Sequence, residues 1–185
     1  MIKLIISGCN GFMGGVVTDM ANAKDDIEIV CGFDINTEEK AFGGRVICEN
    51  DSFIAYIPFF SEYAFGVYIS AKTHIMHIGE MDEKTKYDLG DIIQDITGMY
   101  DKLFDTRFPY MMCMHNAPVN ADGGKTDFHF HIEMLTAMRS ANVQQFRASS
   151  ESGAWACCNP SSPEANAQLM REALEKYRNS KETQK

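Results

Sequence analysis

The segment Asp127-Phe128-His129-Phe130-His131-Ile132-Glu133 alternates polar and apolar residues without a break, a period of two that suits a strand and not a helix. In a strand, residues two apart face the same side. His129, His131 and Glu133 are therefore predicted to project together, about 6.5–7 Å between successive Cα atoms, with Phe128, Phe130 and Ile132 on the other face. Phe108 to His115 is a second strand-like run, and the polar connection Asn116–Thr126 contains Gly123-Gly124, so the two runs are predicted to pair antiparallel. A register that sets His115 beside this face, about 4.8 Å across the ladder, brings three imidazoles together. Such a set suits zinc or iron. It equally suits a histidine nucleophile with imidazole neighbours as acid and base. A polar strand face hydrogen-bonded to its loop is the plain alternative.

Around this pair the chain reads as α+β. Phe53 to Phe60 is an apolar run containing Pro58, and Gly66–Ser70 is a further strand candidate. Asp82 to Asp105 is the strongest helix. Leu89, Ile92, Ile93, Ile96, Met99, Tyr100, Leu103 and Phe104 recur at helical spacing, and Asp82 is its predicted cap. This stripe reads as core. Ser162-Pro163-Glu164 has the form of a helix start, with proline at the first position, and that helix is predicted to run to about Arg178. His74 and His77 fall in the loop before the long helix and read as surface or hydrogen-bonded histidines.

The amino-terminal segment reads differently. Lys3–Ser7 is a short buried-type strand, the glycine-bearing turn Gly8 to Gly15 leads into helical Val16–Ala23, and Ile27–Phe33 is a second strand ending at Asp34. A strand feeding a glycine turn that opens a helix can cradle a pyrophosphate, and an acid about 20 residues on can accept from a ribose hydroxyl. Gly8, Gly11, Gly14 and Asp34 are the candidates, although the spacing is G-x-x-G-x-x-G and not the dinucleotide fingerprint.

Composition narrows the function. Seventeen Lys+Arg against 26 Asp+Glu gives a net charge of −9, opposite to the basic footprint of a nucleic-acid binder. No stretch approaches the roughly 20 apolar residues that a bilayer requires. The six cysteines show no C-x-x-C spacing, and Cys157 and Cys158 are adjacent. The expectation is a soluble cytoplasmic protein without a disulfide framework.

Two resemblances carry these readings further. The segment MIKLIISGCNGFMGGV…IEIVCGFD closely resembles the amino terminus of 4-hydroxy-tetrahydrodipicolinate reductase. That likeness implies a Rossmann-like strand-helix-strand piece, with NAD(P) pyrophosphate at Gly8–Gly14 and ribose at Asp34. It stops near residue 44, and the family's paired-histidine catalytic motif and lysine-bearing loop have no counterpart. From about Val46 the chain resembles the carboxy-terminal half of galactose-1-phosphate uridylyltransferase, a branch of the histidine-triad superfamily. The stretches that carry this are ENDSFIAYIPFFSEYAFGVYISAKTHIMHI, FPYMMCMHNAPVN, FHFHIEM, RSANVQQFRASSESGA and the last helix.

The second resemblance implies a histidine-triad-like antiparallel sheet with a long packing helix. It implies UMP transfer between UDP-glucose and galactose 1-phosphate, and a structural zinc or iron held by His115, His129 and His131. It also places Phe146 and Glu151 along a sugar-phosphate site, and it implies a homodimer, since that family builds its active site across a subunit interface. The departures are specific. No His-Pro-His is present, so the catalytic residues are unassigned, and the fourth metal ligand belongs to the other half. Glu133, on a stiff strand four residues beyond His129, is poorly placed to replace it. Gln145 stands where that family often has a basic residue, and Ser149 where it often has glycine.

The expected organisation is thus a partial dinucleotide-binding segment over 1–44, a transferase-type domain over 45–178 and a polar tail over 179–185. The leading reading is a metal-binding nucleotidyltransferase-family domain incomplete for catalysis. The alternatives are a reductase-like NAD(P)-binding module and an inactive recombined fragment.

Overall fold

The computed structural model describes residues 2–7, 17, 20–21, 23–24, 26–33, 43–119, 128–159 and 161–183. It divides into two compact units, Met1–Gly43 and Gly44–Lys185. In the first, β1 (Ile2–Ser7) pairs in parallel with β2 (Ile27–Phe33), from Ile2 opposite Ile27 to Ser7 opposite Phe33. Both predicted strands are therefore present. Gly8, Gly11, Gly14 and Asp34, and most of the predicted helix between the strands, lie outside the described residues.

The second unit is built on a five-stranded antiparallel sheet in the order β3-β4-β5-β7-β6. Its strands are β3 (Val46–Glu49), β4 (Phe53–Tyr56), β5 (Val67–Ala71), β6 (Tyr110–His115) and β7 (His131–Thr136). A short ribbon, β8 (Met138–Ser140) with β9 (Val143–Gln144), follows. The run from Phe53 to Phe60 is a strand only as far as Tyr56. Pro58, which cannot donate to a ladder, closes it, and the chain turns with Ser61 N–H donating to the Pro58 carbonyl at 3.0 Å.

The long helix α1 spans Glu83–Leu103, with Asp82 accepting from the Thr85 N–H at 2.7 Å as its cap. The predicted stripe faces inward. Leu89, Ile92, Ile96, Met99 and Tyr100 are buried, and Ile93, Leu103 and Phe104 pack at the margin of the same core. After the short helix α2 (Ser150–Ala154), α3 (Pro163–Glu182) starts on the Ser162 hydroxyl and runs four residues beyond its predicted end. Ala167, Met170, Ala173 and Leu174 of α3 join the α1 residues and Val67, Ile69, Ile132 and Met134 of the sheet in one apolar cluster. None of the described helices is long and apolar enough to cross a membrane.

Helices α1 and α3 meet closely because α1 has a glycine where they touch. A Cβ on Gly98 would stand 2.1 Å from the Tyr177 ring. At the other end of the core, the Tyr100 hydroxyl donates to the Phe65 carbonyl at 2.8 Å, satisfying a polar group that is otherwise fully buried. With one sheet face given to this core, β7 alternates strictly. Ile132, Met134 and Thr136 are buried, while His131, Glu133 and Leu135 turn to the opposite face.

Candidate metal centre on the open sheet face

The register of the sheet assembles the site. His115 of β6 lies directly opposite His131 of β7, and Cys113 opposite Glu133. On the other side of β7, Tyr68 lies opposite Glu133 and Ser70 opposite His131. The two imidazoles stack with centroids 4.7 Å apart, and Tyr68 stacks on the far side of His131 at 5.9 Å. The carboxylate of Glu133 lies between the ring nitrogens, 3.7 Å from His115 Nε2 and 3.7 Å from His131 Nε2.

These spacings are long for hydrogen bonds. They are near the roughly 3.3 Å that separates two donor atoms on one tetrahedral zinc. One donor atom from each of His115, His131 and Glu133 lies within 4.8 Å of the other two, a grouping that could hold a metal ion. Two further observations fit the donor set to a cation. His115 Nε2 is buried and has no hydrogen-bond partner among the described residues. His131 Nδ1 lies 2.9 Å from the His129 carbonyl, which can only accept; the proton is therefore on Nδ1 and the lone pair on Nε2, facing Glu133.

The predicted convergence of three imidazoles is reached only in part. His131 begins β7, and His129 precedes it outside the ladder. There Phe130 N–H bonds the Ile75 carbonyl at 2.7 Å and Phe130 is buried, so the alternation of burial continues past the first residue of β7. His129 Nε2 instead donates to the Ala71 carbonyl at 2.7 Å, with His74 beside it at 5.8 Å between ring centroids. Burial, the larger effect, holds the His129 imidazole below its usual pKa. Glu133, expected to be poorly placed, lies beside both imidazoles. Two residues from His131 on the same face and across from Cys113, it is held centrally by both neighbouring strands.

Glu133 also joins this cluster to a cavity of about 310 Å³, lined among others by Phe60, Glu62, Tyr63, Tyr68 and Arg147. The Tyr68 hydroxyl is hydrogen-bonded to Glu133; burial first, and then that carboxylate, raise its pKa and keep it protonated. Arg147 is ion-paired with Glu62 and donates to the Tyr63 hydroxyl at 3.2 Å. Tyr63, Tyr68 and Arg147 escaped the sequence reading because none belongs to a spaced motif. Alternation placed Tyr68 on the right face, but only the β5–β7 pairing makes it a neighbour of Glu133.

Phe146 and Glu151 lie apart from the cavity. Phe146 is exposed, and the Glu151 carboxylate accepts from the N–H groups of Ala148 (3.1 Å) and Cys158 (3.3 Å), capping its own loop. Gln145 acts as a staple, donating to the Glu62 carbonyl at 2.6 Å and accepting from Ala64 N–H at 3.4 Å.

The sequence model of the family described as galactose-1-phosphate uridyl transferase, C-terminal domain, matches residues 24–179. The galactose-1-phosphate uridylyltransferase of Thermotoga maritima is 36% identical over 128 residues, covering 69% of this chain; the chain spans 40% of that relative's length. Among solved structures, a uridylyltransferase superposes with a TM-score of 0.66 over 72% of this chain and 42% of its own, at 24% identity, a likeness of fold. An ADP-glucose phosphorylase from Arabidopsis thaliana, solved with bound ADP-glucose, gives a TM-score of 0.61 at 25% identity, over 69% of this chain and 39% of its own. A zinc-bound histidine-triad protein from Mycobacterium smegmatis gives 0.50 at 15% identity, over 73% and 86%, again a likeness of fold.

Proposed function

This chain belongs to the galactose-1-phosphate uridyl transferase family through that family's carboxy-terminal domain, and from that premise we propose a metal-holding domain that handles a UDP-sugar or sugar phosphate and does not transfer uridylate by itself. The observation that carries the reading is the His115–Glu133–His131 grouping on two paired strands, β6 and β7. His115 and His131 are the two ligands of zinc or iron, with Glu133 or His129 as the third donor. A cation bound there supplies charge that ties β6 to β7 and neutralises Glu133. The role proposed is structural, since the family's nucleophile motif, His-Pro-His, is not in this sequence.

The proposed division of labour follows from residue content. The chain has no His-Pro-His and spans 40% of the Thermotoga relative, so the uridylylated histidine and the remaining metal ligand come from residues outside this sequence. What this chain contributes to substrate is binding. Phe146 and Glu151, on the stretch similar to the family's sugar-phosphate site, contact the sugar phosphate once a partner segment, a second copy in a homodimer or an amino-terminal half, closes over them. The setting proposed is cytoplasmic galactose metabolism.

The test is incubation of the purified chain with UDP-glucose and galactose 1-phosphate, together with a mass-spectrometric search for UMP on any histidine. The expected result is bound metal, no glucose 1-phosphate and no uridylyl adduct. Robust turnover would overturn the assignment of chemistry to residues outside the chain. NADH fluorescence enhancement that vanishes in Gly11→Asp would instead favour a reductase-like role for the first segment.

A further inference from the structure

Four free thiols lie among the described residues, in two settings. Cys48 and Cys113 are partly buried, and burial foremost pushes the Cys48 thiol up to about 12, which keeps it inert. Cys157 and Cys158 are consecutive and exposed. They follow the left-handed Trp155 (φ 55°), which ends α2 and turns the chain into a segment without helix or strand. Each sulfur has local partners, and the hydrogen bond to Glu62, then burial, raise the Cys157 pKa. The Cys157 thiol is hydrogen-bonded to the Glu62 carboxylate, and Cys158 Sγ lies 3.4 Å from Ser150 Oγ and 3.6 Å from the Ala156 carbonyl. Both side chains are exposed, so a reagent can reach each sulfur.

We propose that Cys157 and Cys158 form a dithiol site for trivalent organoarsenicals, electrophiles that need two sulfurs and bring their own third substituent. Geometry selects this ligand class over two others. A direct disulfide between neighbours is strained, since consecutive Cα atoms are about 3.8 Å apart and ordinary disulfides span about 4.4–6.8 Å. An intervening arsenic atom lengthens the bridge to a nine-membered ring. A divalent metal would require a third protein donor, and the one qualifying group of His, Cys, Asp and Glu among the described residues is His115, His131 and Glu133. In the capture step, an arsenoxide and the two thiols form two As–S bonds. The As=O bond and both S–H bonds break, one water leaves with the two protons, and arsenic stays trivalent.

Capture withdraws the thiol of Cys157, two residues from the chain's single tryptophan, Trp155, from Glu62 and draws Cys158 from the Ser150–Ala156 turn. Phenylarsine oxide titrated into the intact chain is therefore expected to change Trp155 fluorescence at one equivalent, with both thiols lost together to a thiol reagent. A monothiol wash should leave the adduct in place and a dithiol should strip it. Cys157→Ser and Cys158→Ser, both at exposed positions, should each lose retention about a hundredfold, the scale of gain from a second tethered donor. Equal monothiol sensitivity in the natural chain and the single variants would overturn the proposal, as would peptide mapping that places arsenic on Cys9, Cys31, Cys48 or Cys113.

Discussion

His115 and His131 sit at directly opposed positions of β6 and β7 with their rings nearly parallel, 11° apart in plane and 4.7 Å between centroids. This stacking brings both Nε2 atoms within reach of one shared ion. Glu133 supplies an anion at 3.7 Å from each, and a bound metal would be the cation that both Nε2 atoms and the carboxylate can meet. Purified protein is expected to carry near one equivalent of zinc or iron by elemental analysis, with most of it lost in His115→Ala and His131→Ala. Glu133→Gln and His129→Ala identify the third donor. Because His129 Nε2 is engaged with the Ala71 carbonyl, Glu133→Gln should weaken binding at least about tenfold, the least that loss of a supporting ligand costs. Equal metal in the natural chain and in His115→Ala would reduce the cluster to a hydrogen-bonded face.

Most of the frame around this pair is legible in residue order, because it rests on local periodicity. The α1 stripe from Leu89 to Tyr100, the Asp82 and Ser162 caps and the β6–β7 pairing follow from spacings of 3.6 and 2 and from capping chemistry. What was not legible depends on contacts far apart in sequence. Alternation alone carries His129 onto the site face, but its Nε2 is engaged by the Ala71 carbonyl, 58 residues away in sequence. Glu133 looked poorly placed when judged against its own strand; its position between β5 and β6 is what centres it.

Gly98 and Tyr177 set how closely α1 and α3 approach. The Tyr177 ring occupies the space a Cβ at 98 would need, three of its ring atoms lying within 2.1–2.4 Å of that position. Alanine is the better helix former by about 1 kcal/mol. Overpacking costs about 1–3 kcal/mol and should dominate. Gly98→Ala is expected to lower the urea midpoint, and Gly98→Ala with Tyr177→Ala should recover part of the helix gain that the clash hides. A rise in the single variant would show that the ring swings aside freely.

Asp82 caps α1, and its bond to Thr85 holds the carboxyl below its usual pKa near 4. A folded pKa below the unfolded one means the charged cap stabilises fully above the unfolded value. That stability is lost as pH falls through the folded value. Denaturant midpoints should therefore decline as pH drops below about 4. Asp82→Asn, which keeps an acceptor for the Thr85 N–H without the charge, should flatten part of that decline; an identical profile would place the titration elsewhere.

Ser149 is held at φ 54°, ψ −113°, just ahead of α2, a backbone region that favours glycine. Strain of this kind costs about 1–3 kcal/mol. Glycine removes it at an entropic cost of about 0.5–1 kcal/mol. Ser149→Gly is expected to stabilise the chain by about 1 kcal/mol net, whereas Ser149→Ala, which keeps the Cβ, should bring no gain. If both substitutions act alike, the loop relaxes out of this conformation in solution.

Thr136 ends β7 fully buried, on the core face with Ile132 and Met134, and its hydroxyl has no hydrogen-bond partner among the described residues. A buried hydroxyl left unpaired costs about 1–3 kcal/mol in desolvation that nothing returns. Valine keeps the β-branched shape that a strand prefers and replaces the hydroxyl with a methyl group of similar size. Thr136→Val is therefore expected to raise the urea midpoint by an amount equivalent to about 1 kcal/mol, with the slope of the transition unchanged. Thr136→Ala separates the two contributions, since it also removes the hydroxyl but leaves a methyl-sized gap beside Met134 and should fall below valine. A valine variant less stable than the natural chain would mean that the Thr136 hydroxyl is hydrogen-bonded in solution, and that the buried end of β7 is tied by a polar contact as well as by packing.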